Sequence, residues 1–297
     1  MKYIQPEFML ILFILLSAIN KTTVSEYTKT KNLFSVPGTD TIITFSNHGY
    51  DAPASYPGYK LVWADEFDGK SLNESNWSFE NGDGCPNNCG WGNHELEYYT
   101  SRKDNLFFQD SKMIILAKKE TVAGKEYSSS KIVSRGKKAF KFGKIDFRAK
   151  LPKGQGIWPA FWMMPDKDIY GSWPKSGELD IMEMIGREPN KVYGTLHFGP
   201  GPGSTQVGGN TTVASGIFND EFHVFSVEWK KDEINWLLDG KIYSKHHLSE
   251  FGSNNYPFNE EFFFIINLAV GGDWPGNPDN TTYMPQFLVV DYVRVYQ

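Results

Sequence analysis

From Lys60 onward the sequence runs in short apolar–polar alternations broken by Gly and Pro, with no stretch of a dozen residues showing helical periodicity. This rhythm constrains the fold most. Successive strand side chains point to opposite faces, whereas a helix repeats its apolar residues every three or four positions. Lys144–Leu151 (KIDFRAKL) has the period of a half-buried strand. Glu233–Leu238 and Lys241–Ser244 flank Asp239-Gly240, a two-residue hairpin signal. Phe262–Leu268 and Phe287–Tyr296 are further runs rich in aromatic and β-branched residues. Many short strands with Gly/Pro turns, and no internal repeat, predict an all-β chain folded as a β-sandwich.

The N-terminal part reads differently. Lys2 precedes an apolar run from Phe8 to Leu16, which is too short to span a bilayer and has the length of a signal-peptide core. The alternative, a buried N-terminal helix, would call for amphipathic spacing that the run lacks. We therefore expect residues 1–22 to be a signal peptide, the protein to be secreted, and no membrane insertion after cleavage. Residues 23–58, rich in Ser, Thr, Pro and Gly, read as a tail or linker with one short strand at Thr41–Phe45. The folded domain is expected over residues 59–297.

Charge and composition narrow the partner. The net charge is −5 with no Lys/Arg block, which argues against capture of nucleic acid or an anionic membrane. An aromatic content of 15%, including nine Trp, supplies flat faces that pack against the C–H faces of sugars as well as in cores. A neutral partner fits. The only cysteines, Cys85 and Cys89, lie four positions apart in GDGCPNNCGWG. A secreted chain permits a disulfide there, while a metal site would need two more soft ligands that are not nearby. Asn-x-Ser/Thr acceptors occur at Asn20, Asn73, Asn76, Asn210 and Asn280, and have meaning only in a eukaryotic secretory host.

The segment SGELDIMEMIG (176–186) carries the chemistry. On a regular strand Glu178, Asp180 and Met182 share one face, and Leu179, Ile181 and Glu183 the other. Glu183 would then be a charge buried beside core residues, which is costly. A β-bulge near Met182 removes the conflict and swings Glu183 onto the polar face, making a row of three carboxylates. Crowded acids raise one another's pKa, and a glycosidase needs one carboxylate and one protonated carboxylic acid. A retaining enzyme holds the two about 5–5.5 Å apart. A solvated acidic strand edge is the plainer reading of the motif taken alone.

The flanking blocks extend the reading. WADEFDG (63–69), GWGNHELEYYT (90–100), GQGIWPAFWMMP (154–165), VYGTLHFG (192–199), FHVFSVEW (222–229), FIINLAVGGDWPG (264–276) and VDYVRVYQ (290–297) together resemble glycoside hydrolase family sixteen, in its bacterial-type laminarinase branch of endo-1,3-β-glucanases. The resemblance covers roughly residues 59–297 and implies a β-jelly roll with a concave substrate cleft. It implies Glu178 as nucleophile, Glu183 as acid/base and Asp180 as the residue that tunes them. It places His197, Trp158, Trp173 and Trp274 along the cleft, leaves Trp162 equally open to a core position, and offers Asn93 and Arg135 as donors to sugar hydroxyls. The implied partner is a neutral β-glucan, cut by a monomer that needs no cofactor for catalysis. Related enzymes of the same scaffold cut mixed-linkage glucan or galactan, transfer glycosyl groups, or merely bind glucan. Both catalytic Glu residues being present argues against simple binding. Members often hold a structural calcium ion away from the chemistry; the matching positions are Glu66, Asp291 and a carbonyl near Asp110, where Asp110-Ser111 replaces the usual Asp-Gly. No His-x-x-x-His pair suggests a catalytic zinc.

Overall fold

The computed structural model describes residues 44–200, 204–251 and 256–297. The expected signal peptide and most of the expected tail, with residues 41–43 of its short strand, lie outside the described residues. Ser46–Gln297 forms one compact unit.

Two sheets make a sandwich. The outer sheet runs in the order β16 (Lys241–His247), β15 (Glu233–Leu238), β14 (His223–Lys230), β9 (Gly143–Lys150), β18 (Gln286–Tyr296), β5 (Lys112–Val122), β6 (Lys125–Ser129) and β3 (Glu97–Tyr99). Beside β18 lies β1 (Leu61–Asp65), and beside β5 lies β4 (Leu106–Gln109). The cleft sheet runs β13 (Thr205–Thr212), β12 (Lys191–Phe198), β11 (Glu178–Glu183), β10 (Ile157–Pro165), β17 (Phe262–Val270), β7 (Lys131–Val133) and β2 (Ser78–Phe79), with β8 (Ala139–Phe140) also on β17.

The inward residues of the two sheets form the main core. Phe147 of β9 stacks on Phe161 of β10 with centroids 4.7 Å apart, and Phe264 of β17 meets Phe147 edge-on at 5.5 Å. The strands expected from alternation are present. Asp239 and Gly240 adopt φ of 50° and 73° between the paired Leu238 and Lys241, as a two-residue hairpin demands.

The compact unit reaches back ahead of residue 59 to Ser46. Lys144, Asp146 and Arg148, on the outward face of β9, are buried, so this strand is covered on both sides. The cover is the strip from Ser46 to Tyr56. Tyr50 N–H donates to the Phe222 carbonyl at 2.8 Å, Tyr56 Oη to Asp146 at 2.7 Å, and Arg148 Nε to the Tyr50 carbonyl at 2.7 Å. Pro and Gly in this strip signal irregular backbone, which need not be free backbone. Its hydrogen bonds go to backbone and side-chain groups distant in sequence.

Candidate active site

The expected bulge is present on β11. Against β10, Trp162 pairs with Asp180 and Phe161 with Met182, leaving Ile181 as the extra residue. Against β12, Asp180 pairs with Thr195 and Glu183 with Tyr193. Ile181 and Met182 therefore both enter the core, although they are consecutive. The polar face receives Glu178, Asp180 and Glu183. Two residues from elsewhere hold the distortion. Trp236 of β15 donates its indole N–H to the Asp180 carbonyl at 2.8 Å, and Gly194 of β12 makes room for that ring. A Cβ at Gly194 would stand 2.1 Å from Trp236 Cδ1.

Each of the two Glu carboxylates has its own indole partner. Trp173 Nε1 donates to Glu178 Oε2 at 2.6 Å, and Trp158 Nε1 to Glu183 Oε1 at 3.0 Å. His197 Nε2 lies 3.1 Å from Asp180 Oδ2 and 3.9 Å from Glu178 Oε1, and its Nδ1 faces Ser204 Oγ at 3.1 Å. Burial pushes all three acids up, and the like charges add to this for the two Glu residues. Glu178 rises to about 7, from burial first and then the neighbouring Asp180. Asp180 rises to about 8 through burial. Glu183 is raised well above the usual carboxylate range by burial, then by Asp180 and Glu178. The row thus carries fewer than three negative charges at neutral pH, and Glu183, raised well above the usual carboxylate range, keeps a proton. That is the protonation pattern of an acid beside a nucleophile. One oxygen or nitrogen each from Glu178, Asp180 and His197 lies within 4.8 Å of the others, a spacing that would also suit a metal ion.

The structure sorts the remaining expected residues. Trp158 stands edge-on to Trp274 with centroids 5.6 Å apart, and Tyr193 meets Trp274 at 5.0 Å, so these rings form one wall beside Glu183. Trp173 is 47% exposed, a free platform beside Glu178. Trp162 lines the pocket above the carboxylates, with its indole N–H on Asn267 Oδ1 at 2.8 Å, and also packs, partly buried, against Val133, Phe263 and Ile265. Asn93 lines the same pocket and donates to Glu95 Oε1 at 3.1 Å. Cys85 and Cys89 form a disulfide in the loop that carries Asn88, Trp91 and Asn93 to the pocket.

Arg135 is not brought to the pocket. Its guanidinium lies over the Phe263 ring at 4.7 Å and binds Glu80 at 3.2 Å. The cation that reaches the pocket is Lys131, whose Nζ lies 2.8 Å from Glu80 and 3.9 Å from the Trp91 ring centroid. Lys131 lies on β7 and Arg135 in the turn after it, but the two are an even number of residues apart, so strand periodicity read from the sequence could not choose between them. Sequence reasoning also missed Glu95 and Asn267, which line the pocket. The signal for Glu95 was present: Glu95, Glu97 and Tyr99 alternate, placing acids where a core-facing strand should be apolar. Tyr99 Oη donates to Glu95 Oε2 at 3.3 Å, and the Val270 N–H donates to Glu97 Oε2 at 2.7 Å.

A two-sheet sandwich with a carboxylate row, each Glu anchored by an indole, in a trough walled by tryptophan defines a glycoside hydrolase. Comparison with known proteins agrees. Residues 93–289 match the family described as Glycosyl hydrolases family 16. The chain is 42% identical to Glucan endo-1,3-beta-glucosidase A1 of Niallia circulans over 81% of its own length, but spans 38% of that longer protein. It is 40% identical to Beta-glucanase of Rhodothermus marinus, covering 86% of this chain and 91% of the relative. The solved laminarinase catalytic domain of Thermotoga maritima is 43% identical with a TM-score of 0.75, covering 80% of this chain and 98% of that one. The chain belongs to glycoside hydrolase family sixteen.

Proposed function

We propose that this enzyme is an endo-acting β-1,3-glucanase that cleaves laminarin-type glucan by double displacement with retention of configuration. The bulged strand carries the proposal, because it sets Glu178, Asp180 and Glu183 on one face. Glu183, whose carboxyl is raised well above the usual range, donates to the glycosidic oxygen as the bond breaks. Glu178 attacks the anomeric carbon to form a glycosyl-enzyme, and Glu183, now ionised, takes a proton from the water that releases it. Asp180, 3.1 Å from His197, shares the protons of the row and raises both Glu residues. Trp173, Trp158 and Trp274 supply faces for the sugar rings. These residues and water account for every proton moved.

The choice of β-1,3-glucan is supported by the names of the relatives and by a site with tryptophan walls. We further propose that the protein is secreted as a monomer after loss of residues 1–22, a reading supported by the Cys85–Cys89 disulfide, which persists in oxidising compartments. Proton NMR of laminarin digestion tests the function directly. The first-formed reducing ends should be β-anomers of mixed chain length. Initial α-anomers, or faster cleavage of mixed-linkage glucan, agarose or carrageenan, would overturn it.

A further inference from the structure

The calcium position implied by the resemblance carries an ammonium group instead. Calcium takes six to eight oxygen ligands, and here those oxygens already serve cations. Both Glu66 oxygens accept from Arg294, at 2.8 and 2.9 Å. Asp291 Oδ2 accepts from Arg148 Nη1 at 2.6 Å, and Asp291 Oδ1 lies 3.7 Å from Lys112 Nζ. The Asp110 carbonyl accepts from that same Nζ at 2.9 Å. The donor set does not fit calcium.

The arrangement is built rather than incidental. Asp110 and Ser111 hold φ of 52° and 55° in the two-residue turn between the paired Gln109 and Lys112. That turn presents the Asp110 carbonyl to the Lys112 side chain. Lys112 is 4% exposed and Arg148 1% exposed, and the Phe222 ring lies 5.6 and 4.6 Å from the two cations. Arg148 is fixed in turn by the Tyr50 and Asn47 carbonyls and Asn47 Oδ1, so the strip from Ser46 seals the site. A divalent ion entering would meet two buried positive charges with little water between them.

We propose that Lys112 is a built-in replacement for the metal, its ammonium tying the β4–β5 turn to Asp291 on β18, so that the fold does not depend on calcium. Thermal unfolding and terbium luminescence on the full chain test this without reference to activity. The wild type should unfold at the same temperature in chelator and in millimolar calcium, and should not sensitise terbium. Lys112→Met keeps the stem and removes the charge. Its midpoint should fall by about 2–4 °C, and calcium should restore part of the loss. Lys112→Arg should stay indifferent to calcium. A wild-type midpoint that climbs with calcium, wild-type terbium binding, or a Lys112→Met protein that ignores calcium would each overturn the proposal. If Lys112→Met does not fold, the two wild-type measurements still decide it.

Discussion

Replacing Glu183 by Gln leaves Trp158 a partner of the same shape but removes the proton the leaving group needs. Glu183→Gln should therefore lose about 10²–10⁴-fold in kcat on glucan. Aryl glucosides whose leaving group needs no proton should still react, and azide should rescue them with retained configuration. Glu178→Gln should lose activity on both substrate types, because no glycosyl-enzyme can form. Steady-state kinetics on the two substrates separates the roles, and the opposite pattern would reverse them. Asp180→Asn removes a like charge that raises both Glu residues. Glu183 must be protonated to act, so activity is lost as pH rises through its pKa. Lowering that pKa moves the alkaline limb of kcat/KM to lower pH. Glu178 must be ionised, so the acid limb moves the same way. A pH profile of Asp180→Asn that overlays the wild type would defeat the three-carboxylate account.

The bulged strand is held by elements that carry no chemistry. Trp236 belongs to the outer sheet, yet its indole N–H satisfies the Asp180 carbonyl at the point where the ladder is broken. Trp236→Phe should cost about 1–3 kcal/mol in urea unfolding, the penalty for a buried carbonyl left without a donor. Gly194→Val should cost about 1–3 kcal/mol through overpacking against Trp236. Both should depress kcat of the fully folded protein far more than KM, because they disturb the spacing of the carboxylates and not the sugar platforms. Variants with lowered stability and unchanged kcat would show that the bulge stands without this support.

For the whole molecule, the same acids that prepare catalysis weaken the fold. The native site holds protons that the unfolded chain, with ordinary carboxyl groups, has released. Stability therefore falls as pH rises from about 4, where unfolded acids ionise, to about 8, through the raised native values of Glu178 and Asp180. Asp180 is 2% exposed and contributes to this dependence beside the two Glu residues. Asp180→Asn should unfold at a higher temperature than the wild type near pH 8, and the gap should shrink towards about pH 4. Calorimetry at both pH values checks this, and a gap that is constant or reversed would sink it. The protein thus trades stability for a protonated acid at neutral pH.

What the chain alone determined follows from local rules. The period of two along Lys144–Leu151, the Asp239-Gly240 hairpin and the core runs of β17 and β18 are set by side-chain alternation and turn chemistry, so they were legible. The bulge was legible too, because no regular strand can bury Leu179 and Ile181 and still present Glu183. The tertiary structure decided matters that depend on partners distant in sequence. It covered β9 with the strip from Ser46, because Asp146 and Arg148 on its polar face find hydrogen-bond partners there. It sent Lys131 rather than Arg135 to the pocket, because the Trp91 ring comes to lie against Lys131 while Arg135 lies over Phe263. It filled an expected metal position with Lys112, because Asp110 and Asp291 converge only when β5 pairs with β18. Periodicity reports which face a residue takes; which charge it meets on that face is settled only by the strands that come to lie beside it.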